Sequence, residues 1–334
     1  MTPVLIIAEA GVNHNGSLDV ALQMVDVAVA AGADAVKFQT FKSTKEISKY
    51  AEKAEYQKTA TGTAESFLEM AIKLELDEAA HRRLLAYCRE RAITFLSSPF
   101  ETDSIDFLHA LGIDLIKVSS GQVTNLPFLR HLGALKKQII LSTGMATLAE
   151  VAAAIDVLVA AGTRRDDISV LHCTTAYPTP YEDVNLNAMI TMRDAFGLQV
   201  GYSDHTLGIE VPVAAVAMGA RIIEKHFTLD RRMAGPDHSA SLEPGELAAM
   251  VKAIRHIEQA MGDGVKRPAR SEGANTPLAR RSIVAARFIK KGEVLSADAI
   301  TVKSPATGLS PMRWDEVVGA AAKQDFEEDQ VIEL

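Results

Sequence analysis

The chain is short of several things, and each shortage excludes something. Its 334 residues include two cysteines, Cys88 and Cys173, too few for a disulfide framework and in keeping with a reducing compartment. Positive charge is not in excess: the formal net charge is −8, which argues against a nucleic-acid partner held by a broad basic surface. No apolar run approaches the roughly 20 residues that span a bilayer. The opening stretch MTPVLIIAEAGVNHNG has no basic segment ahead of its apolar run, and that run is too short for a signal sequence. No low-complexity segment is present. The expectation is a cytoplasmic protein with neither a membrane nor a nucleic acid as partner.

What is there is rhythm. Eight short apolar runs alternate with amphipathic stretches: VLIIA (4–8), AVKFQ (35–39), ITFLS (93–97), DLIKV (114–118), QIILS (138–142), ISVLH (168–172), LQVGYS (198–203) and ARIIEKH (220–226). Each is too short and too uniformly apolar for a half-exposed antiparallel strand, as expected where helices cover one face. The stretches between them, such as SLDVALQMVDVAVAAGA, repeat apolar residues at three and four behind a Ser or Thr at the N-cap position. Eight βα units predict a TIM (β/α)8 barrel, with a doubly wound open sheet as the rival. After IEQAMGDG the composition changes: VKRPARSEGANTP (265–277) is polar and aperiodic. The sequence thus predicts a catalytic barrel over 1–264, a linker over 265–278 and a small domain of short strands over 279–334.

In a TIM barrel the chemistry sits where strands end. Those positions carry Glu9, then Asn13 and His14; Lys37 and Gln39; Ser97 and Ser98; Lys117, Ser119, Ser120 and Gln122; Ser142; and His172. Strand seven ends on Ser203, Asp204 and His205, strand eight on Glu224, Lys225 and His226, with Asp237 in the loop beyond. Two lysines among hydroxyls and an SSG turn suit an anion, the ammoniums giving charge and the hydroxyls hydrogen bonds. His205 and His226, on adjacent strands, suit one divalent metal acting as a Lewis acid. Glu9 and Asp237 suit substrate hydroxyls. His81, His109, His131 and His256 fall on predicted helices and are read as ordinary packing residues.

The motifs IAEAGVNHNG, AVKFQT, IKVSSGQ, LSTGM, LHCTTAYPTPYEDVNL, SDHTLG and IEKHFTLD, in this order, resemble the sialic acid synthase (nonulosonate synthase) family. The terminal segment RRSIVAARFIKKGEVLSADAITVKSP is similar to that family's antifreeze-like (SAF) domain. Within the family, SDHTLGIEVPVAAVAMGARIIEKHFTLDRRMAGPDHSASLEP looks closest to the branch that makes N,N'-diacetyllegionaminate. The resemblance implies condensation of phosphoenolpyruvate with an N-acylated mannose-type sugar, here 2,4-diacetamido-2,4,6-trideoxymannose. It implies that His205 and His226 hold Mn²⁺ (or Mg²⁺ or Co²⁺). Lys37, Ser98, Lys117, Ser120, Ser142 and Ser203 would bind phosphoenolpyruvate, and Gln39 is also assigned to substrate binding. Glu9, Tyr177 and Asp237 would hold the sugar, and Glu9, Lys117, Gln122 and Tyr177 are the residues assigned to catalysis. C3 of phosphoenolpyruvate would attack the open-chain aldehyde, water would add at C2, and phosphate would leave with C–O cleavage. The small domain would cap the barrel of a partner in a domain-exchanged homodimer.

Two positions depart from the family pattern. Gln122 stands where an acid is usual, so it can orient a water without taking its proton. Ser304 stands where an arginine is expected to reach the sugar's acyl group from a partner. The alternatives are N-acetylneuraminate or pseudaminate synthase, an aldolase acting on pyruvate itself, and a non-catalytic sugar-binding barrel.

Overall fold

The structure is a computed structural model and describes residues 3–334. Eight parallel strands run β1 (Leu5–Gly11), β2 (Ala35–Thr40), β3 (Thr94–Pro99), β4 (Leu115–Val118), β5 (Gln138–Ser142), β6 (Ile168–Cys173), β7 (Gln199–Asp204) and β8 (Ile222–His226). They pair in the order β3-β2-β1-β8-β7-β6-β5-β4, and β3 lies alongside β4 at the remaining seam, giving a TIM-type barrel. Helices fill the intervals. Ser17 caps Leu18–Ala31, and Thr147 with Glu150 forms a capping box at the start of Leu148–Ala161.

Period-two alternation places the site. Residues pointing into the barrel form a small apolar plug of Ile7, Ala35, Leu96, Ile140, Leu171 and Ile222, with Leu115 packed against it. Two residues further along the same strands, on the same face, stand Glu9, Lys37, Ser98, Lys117, Ser142, Cys173 and Glu224. The plug is thus the floor on which the polar layer rests. The intervening residues, such as Ile6, Ala8, Val36, Phe38 and Ile223, face the helices in a much larger core.

On β7 the plug position is Gly201. A Cβ there would come within 2.3 Å of the Ile222 carbonyl oxygen and 2.6 Å of Leu171 Cδ2. Gly201→Ala is therefore expected to overpack the floor and cost about 1–3 kcal/mol of stability. Urea unfolding would measure it; an unchanged midpoint would show that the floor has room to yield.

Contacts divide the chain into two compact units, Met1–Gly262 and Asp263–Leu334. In the second, β9 (Ser282–Ala285) pairs antiparallel with β10 (Ile300–Lys303) over a small core that includes Ile283, Leu295, Val317, Phe326 and Ile332. The polar stretch 265–277 falls in this unit. It holds a 3-10 turn at Arg270–Glu272 and the start of a short helix at Thr276–Ala279, and Pro277 O accepts from Ala306 N at 2.7 Å. Short-range capping by Glu272 on Ala269 N orders a segment that has no hydrophobic period to reveal it. Among the described residues no helix is long and apolar enough to cross a membrane.

Candidate active site

Above the plug opens a cavity of about 700 Å³. Glu9, Lys37, Gln39, Ser98, Lys117, Ser120, Gln122, Ser142, Tyr177, Ser203, His205, His226 and Asp237 all line it. The βα architecture thus brings residues from 9 to 237 into one polar layer.

Its centre is a set of four buried charges. Lys37 Nζ lies 2.9 Å from Glu9 Oε1 and 3.7 Å from Glu224 Oε2, and donates to Ser98 Oγ at 3.0 Å. Lys117 Nζ lies 3.2 Å from Glu224 Oε1, which also accepts from Ser203 Oγ at 3.1 Å. Burial pushes the Glu224 carboxyl up, but Lys117 and Lys37 outweigh it and hold the group at about 2. Glu9 goes the other way: burial, reinforced by the negative Glu224, outweighs Lys37 and lifts it to about 7. One carboxylate is fixed as an anion and its neighbour is poised near neutrality. Glu9 Oε2, Glu224 Oε2 and Ser142 Oγ are buried without hydrogen-bond partners, so the layer has polar atoms left to give to a ligand.

Around this centre the turns supply donors. Ser120 Oγ accepts from Gly144 N at 2.9 Å, which leaves its own proton to donate. A Cβ on Gly144 would stand 2.7 Å from Thr175 Cγ2, so the STG turn needs glycine for this approach. Gln39 donates to Glu9 Oε1 at 3.4 Å. Gln122 is clamped: it donates to Phe100 O at 3.1 Å and accepts from Asn125 at 2.7 Å.

The other end holds the imidazoles. His205 and His226 have ring centroids 5.5 Å apart, and Tyr177 lies over His205 at 4.1 Å and edge-on to His226 at 5.9 Å. His205 Nδ1 lies 2.6 Å from Thr174 O, so it carries the proton and leaves Nε2 as a lone-pair donor. Burial and the neighbouring His205 hold His226 well below the usual histidine range, and its buried Nδ1 has no partner. Two imidazoles, one with an orphaned nitrogen, fit a divalent cation as two of its ligands. Among the described residues no group of three or more His, Cys, Asp or Glu side chains is arranged to hold a metal ion. Asp237 lies nearby, its carboxyl lifted by burial to about 6.

Other polar residues at the strand ends do different work. Asn13 pins two loops, donating to Phe227 O at 2.8 Å and Ser241 Oγ at 2.9 Å, and His14 accepts from Gly16 N at 3.0 Å. His172 lies 2.7 Å from Val184 O on the outer side. Asp204 and Lys225 form a buried ion pair between β7 and β8, outside the cavity, with Lys225 also donating to Thr206 O at 2.7 Å. Glu224, named among the strand-end residues but given no role there, joins the charged centre of the cavity. Its signal was positional: two residues before His226 on a strand, it must share the imidazole's face.

A model of the NeuB family matches residues 24–266, and one of the SAF domain matches residues 280–334. The chain is 51% identical over 332 residues to the N,N'-diacetyllegionaminic acid synthase of Campylobacter jejuni, covering 99% of both chains. It is 46% identical over 317 residues to the enzyme of the same name from Legionella pneumophila, covering 94% of this chain and 89% of that one. The crystal structure of N-acetylneuraminic acid (sialic acid) synthetase from Leptospira borgpetersenii superposes with a TM-score of 0.73 at 34% identity, over 82% of this chain and 90% of that one. The chain belongs to the NeuB family and ends in a SAF domain.

Proposed function

We propose that this chain condenses phosphoenolpyruvate with 2,4-diacetamido-2,4,6-trideoxymannose, giving N,N'-diacetyllegionaminate and phosphate in the cytoplasm. The observation that carries the reading is the cavity itself: two buried lysines among strand-end hydroxyls, beside a pair of imidazoles. The near full-length similarity to two legionaminic acid synthases supports this choice of sugar.

Lys37 and Lys117 hold the phosphate and carboxylate of phosphoenolpyruvate, with Ser98, Ser120, Ser142 and Ser203 as hydrogen-bond donors. In a site this buried, charge–charge contacts are stronger than in water and the groups need no reorganisation as the reaction proceeds. Tyr177, Asp237, Gln39 and Glu9 orient the open-chain sugar so that its aldehyde carbon faces C3 of phosphoenolpyruvate. A divalent cation on His205 and His226, taken to be Mn²⁺ with Mg²⁺ or Co²⁺ as substitutes, would supply Lewis-acid polarisation of a carbonyl. Glu9, poised near neutrality with Oε2 unpartnered, holds or releases a proton at that atom. Gln122 orients water through an amide fixed at both ends and takes no proton. Water adds at C2, and the bridging oxygen leaves with phosphate.

A panel of phosphoenolpyruvate, Mn²⁺ and each candidate acylated sugar tests this, read as phosphate release and product mass. The diacetamido sugar is expected to turn over best. No phosphate release with any member of the panel would overturn the reading.

The assembly we propose is a two-fold homodimer in which each SAF unit caps the partner's barrel and keeps water from the reacting carbons. Mixing a full-length Lys117→Ala chain with a chain ending at Gly262 should then restore part of the activity that each lacks alone. An inactive mixture would show that caps serve only their own barrels.

A further inference from the structure

One apolar cluster differs from the rest of the core in where it faces. Phe41, Met70 and Leu74 are buried in it, Ile47, Phe67 and Phe100 pack against it partly buried, and all of these residues line the catalytic cavity. Most of the cluster comes from a single excursion, residues 41–75, between β2 and the helix Glu78–Glu90. It is separate from both the plug and the helix-facing core. A site for phosphate and hydroxyls has no use for such a wall. An apolar surface left open to a polar cavity costs free energy unless something apolar covers it.

The excursion is also fastened and aimed. Lys53, buried at its base, donates to Thr61 Oγ1 at 2.9 Å and Gly62 O at 3.2 Å, and pairs with Glu65 at 3.4 Å. That holds the short helix Glu55–Thr61, whose Tyr56 stacks on Tyr177 with ring centroids 5.1 Å apart and planes at 27°. Tyr177 in turn lies over His205. The same segment therefore supplies an apolar wall and reaches the end of the cavity where the imidazoles stand.

We propose that the excursion 41–75 selects the sugar: its apolar wall receives the methyl groups of an acylated 6-deoxy sugar, and Tyr56 seals that wall against Tyr177. This rests on the proposed function and adds the element that chooses among acylated sugars. A C6 methyl covers the wall, whereas a C6 hydroxymethyl buries a hydroxyl against groups that cannot hydrogen-bond it.

The test compares kcat/KM for 2,4-diacetamido-2,4,6-trideoxymannose and for N-acetylmannosamine, in the wild type and in Phe67→Asn, Phe67→Leu and Ile47→Thr. A methyl-sized difference in an apolar pocket discriminates by on the order of 10- to 200-fold, so the ratio should fall about tenfold or more in Phe67→Asn. Phe67→Leu should keep most of the ratio, and KM for phosphoenolpyruvate should stay unchanged in all three variants. Thermal unfolding checks each fold; if Phe67→Asn does not fold, Ile47→Thr, at a partly buried position, carries the same readout. Equal losses on both sugars would make the cluster mere support for the excursion and overturn the inference. So would an unchanged ratio in a folded polar variant, and in either case the synthase reading would stand. A wild type that releases phosphate with neither sugar would remove that reading, and this inference with it.

Discussion

Lys117→Ala is expected to lower kcat/KM for phosphoenolpyruvate by on the order of 30- to 5,000-fold, since truncating one member of a buried charge pair costs about 2–5 kcal/mol. The variant loses an ammonium that would face a multiply charged ligand. It also strips Glu224 of its 3.2 Å partner, leaving two buried carboxylates to share Lys37. The site then opposes the anion it is built to hold. Isothermal calorimetry would show the loss as weakened phosphoenolpyruvate binding, and raised salt should weaken the wild type in the same direction. Lys225→Ala is the informative control. Lys225 is as buried as Lys117, but it pairs with Asp204 away from the cavity. That change should cost about 3–5 kcal/mol of stability by orphaning a buried carboxylate, while the folded fraction binds phosphoenolpyruvate normally. If Lys117→Ala binds the ligand as the wild type does, the anion site lies elsewhere.

Removal of metal should abolish turnover, with Mn²⁺ restoring it. His226→Ala should lower cation affinity by more than the roughly 10- to 100-fold that a lost outer-shell partner costs, because it deletes one of two imidazole donors. Binding of Co²⁺ followed by its absorption spectrum separates affinity from catalysis. His172→Ala should leave that spectrum unchanged, since His172 sits outside the cavity against Val184 O. Full activity after exhaustive chelation would end the metal assignment.

The barrel was legible because its constraint is local and repeated. A strand buried on both faces must be short and apolar, and eight such runs leave little freedom. The boundaries slipped towards the C-terminus where polar residues continue the ladder. β1 runs on through Glu9 to Gly11, β3 through Ser98 to Pro99 and β7 to Asp204, since these polar residues are buried, Glu9 and Ser98 against the cavity and Asp204 behind it, rather than marking a turn. The residues that line the cavity were legible for the same reason: a lysine or glutamate ending an apolar strand needs a purpose. What sequence alone could not supply was phase and partner. Asp204 and His205 are adjacent, yet only the pairing of Ser203 with Glu224 and of Asp204 with Lys225 sends one into the cavity and the other behind it. The excursion after β2 was not legible either. Its helices at Ser43–Glu46, Glu55–Thr61 and Phe67–Ile72 are each too short to establish a period, and they are held by Lys53 and caps instead.

The ion pair behind β7 and β8 bears on how the two imidazoles would stand with and without the proposed cation. Asp204 and Lys225 stitch the two strands together immediately next to His205 and His226, and Lys225 also ties down the Thr206 carbonyl. The imidazoles are thus fixed from the rear by bonds that an arriving or departing ion does not touch. The holder is therefore part of the wall and does not have to be assembled by its cargo. If His205 and His226 hold an ion as proposed, a cell short of it is expected to keep an intact, idle protein that resumes work on resupply without refolding.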